Sequence, residues 1–401
     1  MSHSSPPDET GQQTPSAGNP RQQPLLSRWI SLSGWMGLIG GIAVSLLALS
    51  AFIAPNFWFT DNMSFFQRQF LGAGICGFIG GLAGLTVPHR LPLLYRKILV
   101  VLLVFLVTVG GLMMARIATV SKPMDETQHL NEPGRKSIRV VSINLERLFL
   151  ADGGLASYLA EVRPDVIIVE EVAWRWQEER RRRQLDNTQL TGYRAYPSQL
   201  AVGELGDIAI FSRFPILRNE PILVPGEAEG TSEAAREIMS LTLDVDGTPL
   251  NLLAVHPASP RSKPRWQDRQ TYLQTLTSEV SRLQKTETNN TLVIGDWNLS
   301  PWSGHFLKFL TDQNMSTAFP GGFPQTTRFF FDYRLHWLLG AVVDHFAVSP
   351  GIDILNVSLG PDIRSDHLPL VVDLALSDTT KAPVIQPESE AGRASGNTSG
   401  N

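Results

Sequence analysis

At 401 residues the chain is longer than one typical domain, and 43% hydrophobic against 18% charged residues is lean in charge for a wholly water-soluble protein. A net charge of -4 and a pI near 6.1 exclude a protein that coats nucleic acid through overall positive charge, although a basic groove on one face leaves no mark on the sum. The single cysteine, Cys76, excludes disulfides within the chain and a zinc-thiolate site.

The shortage of charge is local, lying almost entirely before Val120, so the chain divides into a membrane part and a water-soluble part. Residues 1–28 form an N-terminal tail rich in Ser, Pro, Gln and Gly, a composition that predicts disorder. A membrane domain over 29–118 follows, with three expected transmembrane helices. The first, 29–53, carries no charge and is long enough to cross about 30 Å of hydrocarbon. The second, 70–87, is shorter and glycine-rich, which lets helices approach closely. The third, 98–115, is dense in Leu and Val. A cleaved signal peptide would account for the first stretch alone, but that stretch is too long, begins too far into the chain and is followed by two more. Basic residues flanking the spans set the orientation. Arg21, Arg28, Arg90, Arg96 and Lys97 on one side outnumber Arg68, Arg116 and Lys122 on the other, which predicts a cytoplasmic N-terminus and, after three crossings, an extracytoplasmic C-terminal part.

A polar linker over 119–134 leads into a domain at 135–377 with a mixed α/β pattern, and a second tail of low complexity occupies 378–401. Residues 138–143 alternate and are β-branched, which predicts a strand ending at Asn144. A helix is expected over 155–162, stopping before Pro164. A buried strand over 165–169 ends in Glu170-Glu171. Residues 174–187 read as a helix whose Arg175 and Arg180 to Arg183 form a solvated face or a phosphate contact. Strands are expected at 208–211 and 236–244, the latter joined through Asp246-Gly247 to a strand over 250–255 that ends at His256. A long amphipathic helix over 266–283 precedes a strand at 292–294, and a short helix covers 306–310. The run 341–348 is interrupted by Asp344-His345, and 368–376 closes the domain directly after Ser365-Asp366-His367.

The chemistry concentrates after the apolar run Leu292-Val293-Ile294, where Gly295 lets the chain turn and Asp296 and Asn298 are delivered two residues apart, on one side of an extended chain. A carboxylate beside a neutral amide suits a phosphate ester: one takes a proton or meets a metal ion, the other donates a hydrogen bond without adding repulsion. Alone, the pair reads equally as an Asx turn. Its company changes the reading, because Asn144, Glu171, His256, Asp344, Asp366 and His367 also follow or break apolar runs, and a sheet gathers such ends at one edge.

In order, Ser142-Ile143-Asn144-Leu145, Val169-Glu170-Glu171-Val172, Ala254-Val255-His256-Pro257, Gly295-Asp296-Trp297-Asn298, Val343-Asp344-His345-Phe346 and Ser365-Asp366-His367-Leu368-Pro369 resemble the endonuclease/exonuclease/phosphatase superfamily, which includes DNase I. Two departures are visible: the residue before the metal-binding Glu is more often Gln than Glu170, and the aromatic before Asn298 is more often Phe than Trp297. The resemblance implies an α+β fold, a four-layer α/β/β/α sandwich of the DNase I type, preceded here by the three transmembrane helices. It also implies a Mg2+ or Mn2+ ion held by Glu171 with Asn144 and Asp366 nearby, an oxygen-rich set of the kind hard cations prefer. Asp296 would orient or deprotonate the attacking water, and Asn298 would hold the phosphate. His367, positioned by Asp344, and His256 would face the non-bridging oxygens, with Arg236 as a phosphate-facing arginine.

The expected activity is therefore hydrolysis of phosphodiester bonds by a membrane-anchored, metal-dependent, nuclease-like enzyme. A phospholipid or other phosphoester headgroup hydrolase is the alternative, since a tether holds the domain near a bilayer. A basic groove for nucleic acid would draw on the Arg180 run or on Arg261, Lys263, Arg265 and Arg269. A catalytically dead binding module would lack a ligand or a histidine, and none is missing. A transporter lacks an intramembrane charge to build a pathway. Asn298-Leu299-Ser300 is a glycosylation sequon on a proposed active-site residue, which favours a bacterial envelope over a eukaryotic secretory route.

Overall fold

The computed structural model describes residues 23–86, 92–124, 135–146, 148, 153–172, 199–227, 235–286 and 288–377. Most of the expected N-terminal tail, the C-terminal tail, most of the linker and the helix over 174–187 with its arginine run lie outside the described residues. The chain forms two compact units: one takes the chain as far as Leu49 together with Arg68–Gly111, the other Ser50–Gln67 with everything from Leu112 onward.

The N-terminal elements are α1 (Gln23–Ile53), α2 (Trp58–Asn62), a 3-10 turn (Met63–Phe66), α3 (Gln67–Gly84) and α4 (Leu93–Val120). Among the described residues two helices are long and apolar enough to cross a membrane, Ser27–Ile53 and Leu93–Val120. The expected third span at 70–87 is not among them. It corresponds to α3, an 18-residue helix whose first turn is Gln67, Arg68 and Gln69. Its glycines act as their composition predicts: a Cβ on Gly77 would run into the carbonyl oxygen of Gly37 on α1. Tyr95 of α4 donates from its hydroxyl to Gly81 O at 2.7 Å, which satisfies a polar group inside this apolar unit.

In the second unit the strands and helices follow in the order β1 (Lys136–Asn144), α5 (Gly153–Val162), β2 (Val166–Glu170), β3 (Gln199–Val202), β4 (Ala209–Ser212), β5 (Ile216–Val224), β6 (Arg236–Val245) and β7 (Thr248–Val255). They continue with α6 (Lys263–Thr286), β8 (Thr291–Asp296), α7 (Gly304–Asp312), β9 (Arg328–Phe329), β10 (Gly340–Ala341), β11 (Asp344–Val348), β12 (Ile352–Leu359) and β13 (Leu370–Leu376). One sheet runs β12-β13-β1-β2-β4-β3 and the other β11-β8-β7-β6-β5, while β9 and β10 pair with each other.

Period-two alternation decides what each strand buries. Ile138, Val140, Val166 and Ile168 of the first sheet meet Leu252, Ala254, Leu292, Ile294 and Phe346 of the second in one core between the sheets. The opposite residues Val141, Ile143, Ile167 and Val169 pack on Leu155, Tyr158 and Leu159 of α5. On the outer side of the second sheet Leu276, Val280 and Leu283 of α6 are buried, and Trp297 sits edge-on to Phe306 and Phe309 of α7. The result is the expected four-layer α/β/β/α sandwich. Its β5 was not legible in the sequence, because this strand lies at the edge of its sheet, pairs only with β6 and carries Arg218, Asn219, Glu220 and Pro221.

The pairing sets where chemistry collects. β1 and β2 run parallel, as do β7 and β8, while β13 runs against β1 and β11 against β8. The ends of the parallel strands and the starts of their antiparallel neighbours therefore fall on one rim.

Candidate active site

The same alternation that fills the core carries polar side chains to that rim. Asn144, His256 and Asp296 continue the inward-facing positions of β1, β7 and β8, and Asp344 lies directly opposite Asp296. Gly295 is not merely a turn residue: it lies within β8 at φ +147°, where a Cβ would strike the carbonyl oxygen of Val255.

Alternation alone would face Glu170 inward and send Glu171 to the opposite side. Glu170 does face inward, fully buried, accepting from Ser142 Oγ at 2.8 Å, and burial pushes its carboxyl well above the ordinary range. A neutral carboxylic acid offers the same kind of donor and acceptor as the amide that usually stands there, so this departure from the family pattern changes little. Glu171 reaches the rim through a left-handed kink, φ +56°, an unusual conformation for a non-glycine residue. Its Oε1 accepts from Asn144 Nδ2 at 3.3 Å and lies 3.6 Å from His256 Nε2.

Two histidine–aspartate pairs flank Asp296. His256 Nδ1 meets Asp207 Oδ2 at 2.6 Å, and His367 Nδ1 meets both oxygens of Asp344 at 2.9 and 3.0 Å. Both Nε2 atoms point back toward the same oxygen, Asp296 Oδ2, each at 3.8 Å. Burial alone would lower both imidazoles. The neighbouring carboxylates win: Asp207, with Glu171 and Asp296, carries His256 up to about 10, and Asp344, with Asp296, carries His367 up to about 9. The carboxylates favour the charged form of both rings, whose Nε2 atoms face the gap between them. Burial raises Asp296 against the pull of His367, a direction that suits a proton acceptor.

Asp296 is held from two sides, since Asn298 donates from its backbone N–H to Oδ1 at 2.8 Å while Asn144 Nδ2 and Asn298 Nδ2 both reach Oδ2 at 3.2 Å. Asn298 Nδ2 also donates to Pro257 O at 3.0 Å, so its amide hydrogens are already engaged. Asn298 itself adopts φ +45°. Asp366 accepts from Arg328 Nε at 3.0 Å through Oδ2, while its Oδ1 is buried without a hydrogen-bond partner. Arg236 opens β6 at the same rim by register, two residues before the Ile238–Val255 pair, and donates to Ala235 O.

Asp207 and Arg328 escaped the sequence reading. Asp207 lies in the Gly203–Ile208 turn, whose backbone N–H groups at Leu205, Asp207 and Ile208 are collected by the buried Glu237 of β6. Asp207 stands just before the apolar run 208–211, at the start of a strand rather than at its end, and the turn is held further by backbone bonds from Val172 N to Asp207 O and from Gly203 N to Ile208 O. Arg328 begins a two-residue strand, too short to carry a period.

Among the described residues Asp296, Asp344 and His367 form a group that could hold a metal ion, with one ligand atom from each within 4.8 Å of the others. Glu171 and the orphaned Asp366 Oδ1 add carboxylate oxygens of the kind a hard cation prefers, whereas Asn144 turns its Nδ2 to Glu171 and Asp296 and its Oδ1 accepts from the Glu146 backbone N–H at 3.0 Å. A buried acceptor left without a donor is the defect that a bound cation or its water would repair.

Carboxylates and two carboxylate-held imidazoles thus gather at one rim of a four-layer sandwich. The chain belongs to the endonuclease/exonuclease/phosphatase family, whose model matches residues 141–367. Members of that family are generally dependent on a divalent metal. No curated protein matches the chain. Among solved structures, an endonuclease/exonuclease/phosphatase from Beutenbergia cavernae is 18% identical with TM-score 0.44, over 60% of this chain and 72% of that one. The human Nocturnin catalytic domain is also 18% identical with TM-score 0.44, over 60% and 95%. Sphingomyelinase C from Streptomyces griseocarneus is 16% identical with TM-score 0.43, over 59% and 99%.

Proposed function

We propose that this chain is a membrane-anchored, divalent-metal-dependent phosphodiesterase that hydrolyses its substrate by in-line attack of water. The observation that carries the reading is the pair of carboxylate-held imidazoles aimed at one side of Asp296. Asp296, raised by burial and held by Asn144 and Asn298, orients the water and accepts its proton. His256 and His367 donate from Nε2 to the non-bridging oxygens, where negative charge grows in the transition state. Asp207 and Asp344 hold the rings in place. Asn298 acts through Asp296 first, and reaches the phosphate by exchanging its bond to Pro257 O. Arg236 stands behind as a further positive charge. Glu171, Asn144 and Asp366 would hold a Mg2+ or Mn2+ ion, which supplies charge neutralisation and an acidified water.

Three crossings by α1, α3 and α4 place the domain outside the cytoplasm in this proposal. Its support lies in unit two: His305 Nε2 meets Pro55 O at 3.1 Å just after α1, and Arg116, near the end of α4, donates to Trp302 O.

Full-length protein in nanodiscs should hydrolyse 4-nitrophenyl methyl phosphate with Mg2+ and stop on addition of EDTA. Glu171→Ala and His367→Ala should each cost at least about 100-fold in kcat of the folded protein; the more exposed Glu171 should leave Tm unchanged, whereas His367→Ala strands the buried Asp344 and should lower it. Turnover that survives EDTA and both substitutions would defeat the assignment.

A further inference from the structure

Beside Asn298 a cavity of about 360 Å³ opens, lined by Asn62, Phe65, Phe66, Pro260, Arg328 and Phe330 among others. Its size is that of a small-ligand pocket. One end is polar, with Asn298 of the hydrolytic site and the Arg328 guanidinium that also binds Asp366. The rest of the lining joins apolar Phe65, Phe66, Pro260, Phe330, Ala341 and Val343 to Ser259 and a second cationic side chain, Arg261.

The wall is unusual in origin. Asn62, Phe65 and Phe66 belong to the short segment between α1 and α3, outside the region that the family model matches. That segment is fastened to the active-site loops rather than lying loose on them. Asp61, 1% exposed, accepts from Trp266 Nε1 at 2.9 Å, from Ser303 Oγ at 2.7 Å and from the fully buried Arg269. Arg269 in turn donates to the Asn298 carbonyl oxygen. Trp58 and Asn62 both donate to Pro260 O, at 3.0 and 2.9 Å, and Ser300 Oγ donates to Ser64 O at 2.8 Å. The opposite wall is the β9–β10 element, where Phe330 lines the cavity and the following residues leave Phe331 96% and Trp337 64% exposed, with Leu338 and Leu339 also uncovered. Apolar side chains displayed to this extent mark a binding or membrane-contacting surface, and Trp favours the bilayer interface.

Building on the phosphodiesterase reading, we propose that the substrate is a lipid phosphate ester: its phosphate lies at His256, Asp296 and His367, and its apolar chain enters the pocket between Phe65, Phe66 and Phe330. The chain between two apolar helices then has a direct part in substrate selection.

The test titrates full-length protein in nanodiscs with methyl-, butyl- and octylphosphonate, hydrolysis-resistant stand-ins for the ester, with Mg2+ present. Turnover of 4-nitrophenyl methyl phosphate is followed in the same preparations. Affinity should rise by about threefold per buried methylene, so that octylphosphonate binds at least about 30-fold more tightly than methylphosphonate. Phe65→Ala and Phe330→Ala, on separate elements, should each reduce that preference several-fold. Equal affinities, or a preference that both substitutions leave intact because it reflects partition into the bilayer, overturns the pocket assignment. If the soluble ester is still hydrolysed in that case, the phosphodiesterase reading stands. If there is neither hydrolysis nor phosphonate binding, both fall.

Discussion

Asp207 holds His256 by its Nδ1 and so fixes which ring nitrogen faces the gap. Because the carboxylate acts on the ring rather than on the substrate, Asp207→Ala should lower kcat by roughly 10- to 100-fold, with a much smaller change in KM, and Asp207→Glu should restore part of the loss. A purely structural role would instead lower Tm and leave the kcat of the folded fraction intact. At this scale the residues singled out by the sequence motifs are neighbours in space. Asn144, Glu171, His256, Asp296, Asp344, Asp366 and His367 do come together, linked by contacts no longer than 3.8 Å. Asp207 was passed over because it precedes its apolar run, 208–211, whereas the motifs were sought at the ends of such runs, and Arg328 lies on a strand of two residues that carries no period.

The segment between α1 and α3 shows how an element of a few residues acquires weight through burial. Asp61 and Arg269 are both withdrawn from water, so removing one leaves the other charge buried without its counter-ion. Asp61→Ala should destabilise the protein by about 3 to 5 kcal/mol, read as a fall in Tm of the full chain in detergent. The double substitution Asp61→Ala with Arg269→Met should recover much of that loss, since the unpaired charge goes too. No recovery would mean that the bonds from Trp266 and Ser303 to Asp61, rather than the ion pair, hold the segment. This element was invisible in the sequence: α2 and the 3-10 turn are too short for a helical period, and their role comes from contacts some 200 residues away along the chain, such as Asp61 with Arg269, where |i−j| is 208.

For the whole molecule, the proposal to be tested is a sandwich anchored outside the cytoplasm by three crossings. A reporter that is active only outside the cytoplasm, fused after Lys122, should be active if α1, α3 and α4 all cross, and silent if only α1 and α4 do. Silence would put the domain in the cytoplasm and withdraw the extracytoplasmic proposal. The sequence by itself determined the division into an apolar N-terminal part and an α/β part, and the identity of the residues at the strand ends, because both follow from local signals: runs without charge and period-two alternation. Only the tertiary structure decided that Glu171 swings to the rim through a left-handed kink, that Glu237 pins the turn carrying Asp207, and that the segment after α1 becomes a wall beside Asn298. Those outcomes depend on pairs of residues distant along the chain, whose meeting is set by the packing of one sheet on another and leaves no mark on either stretch alone.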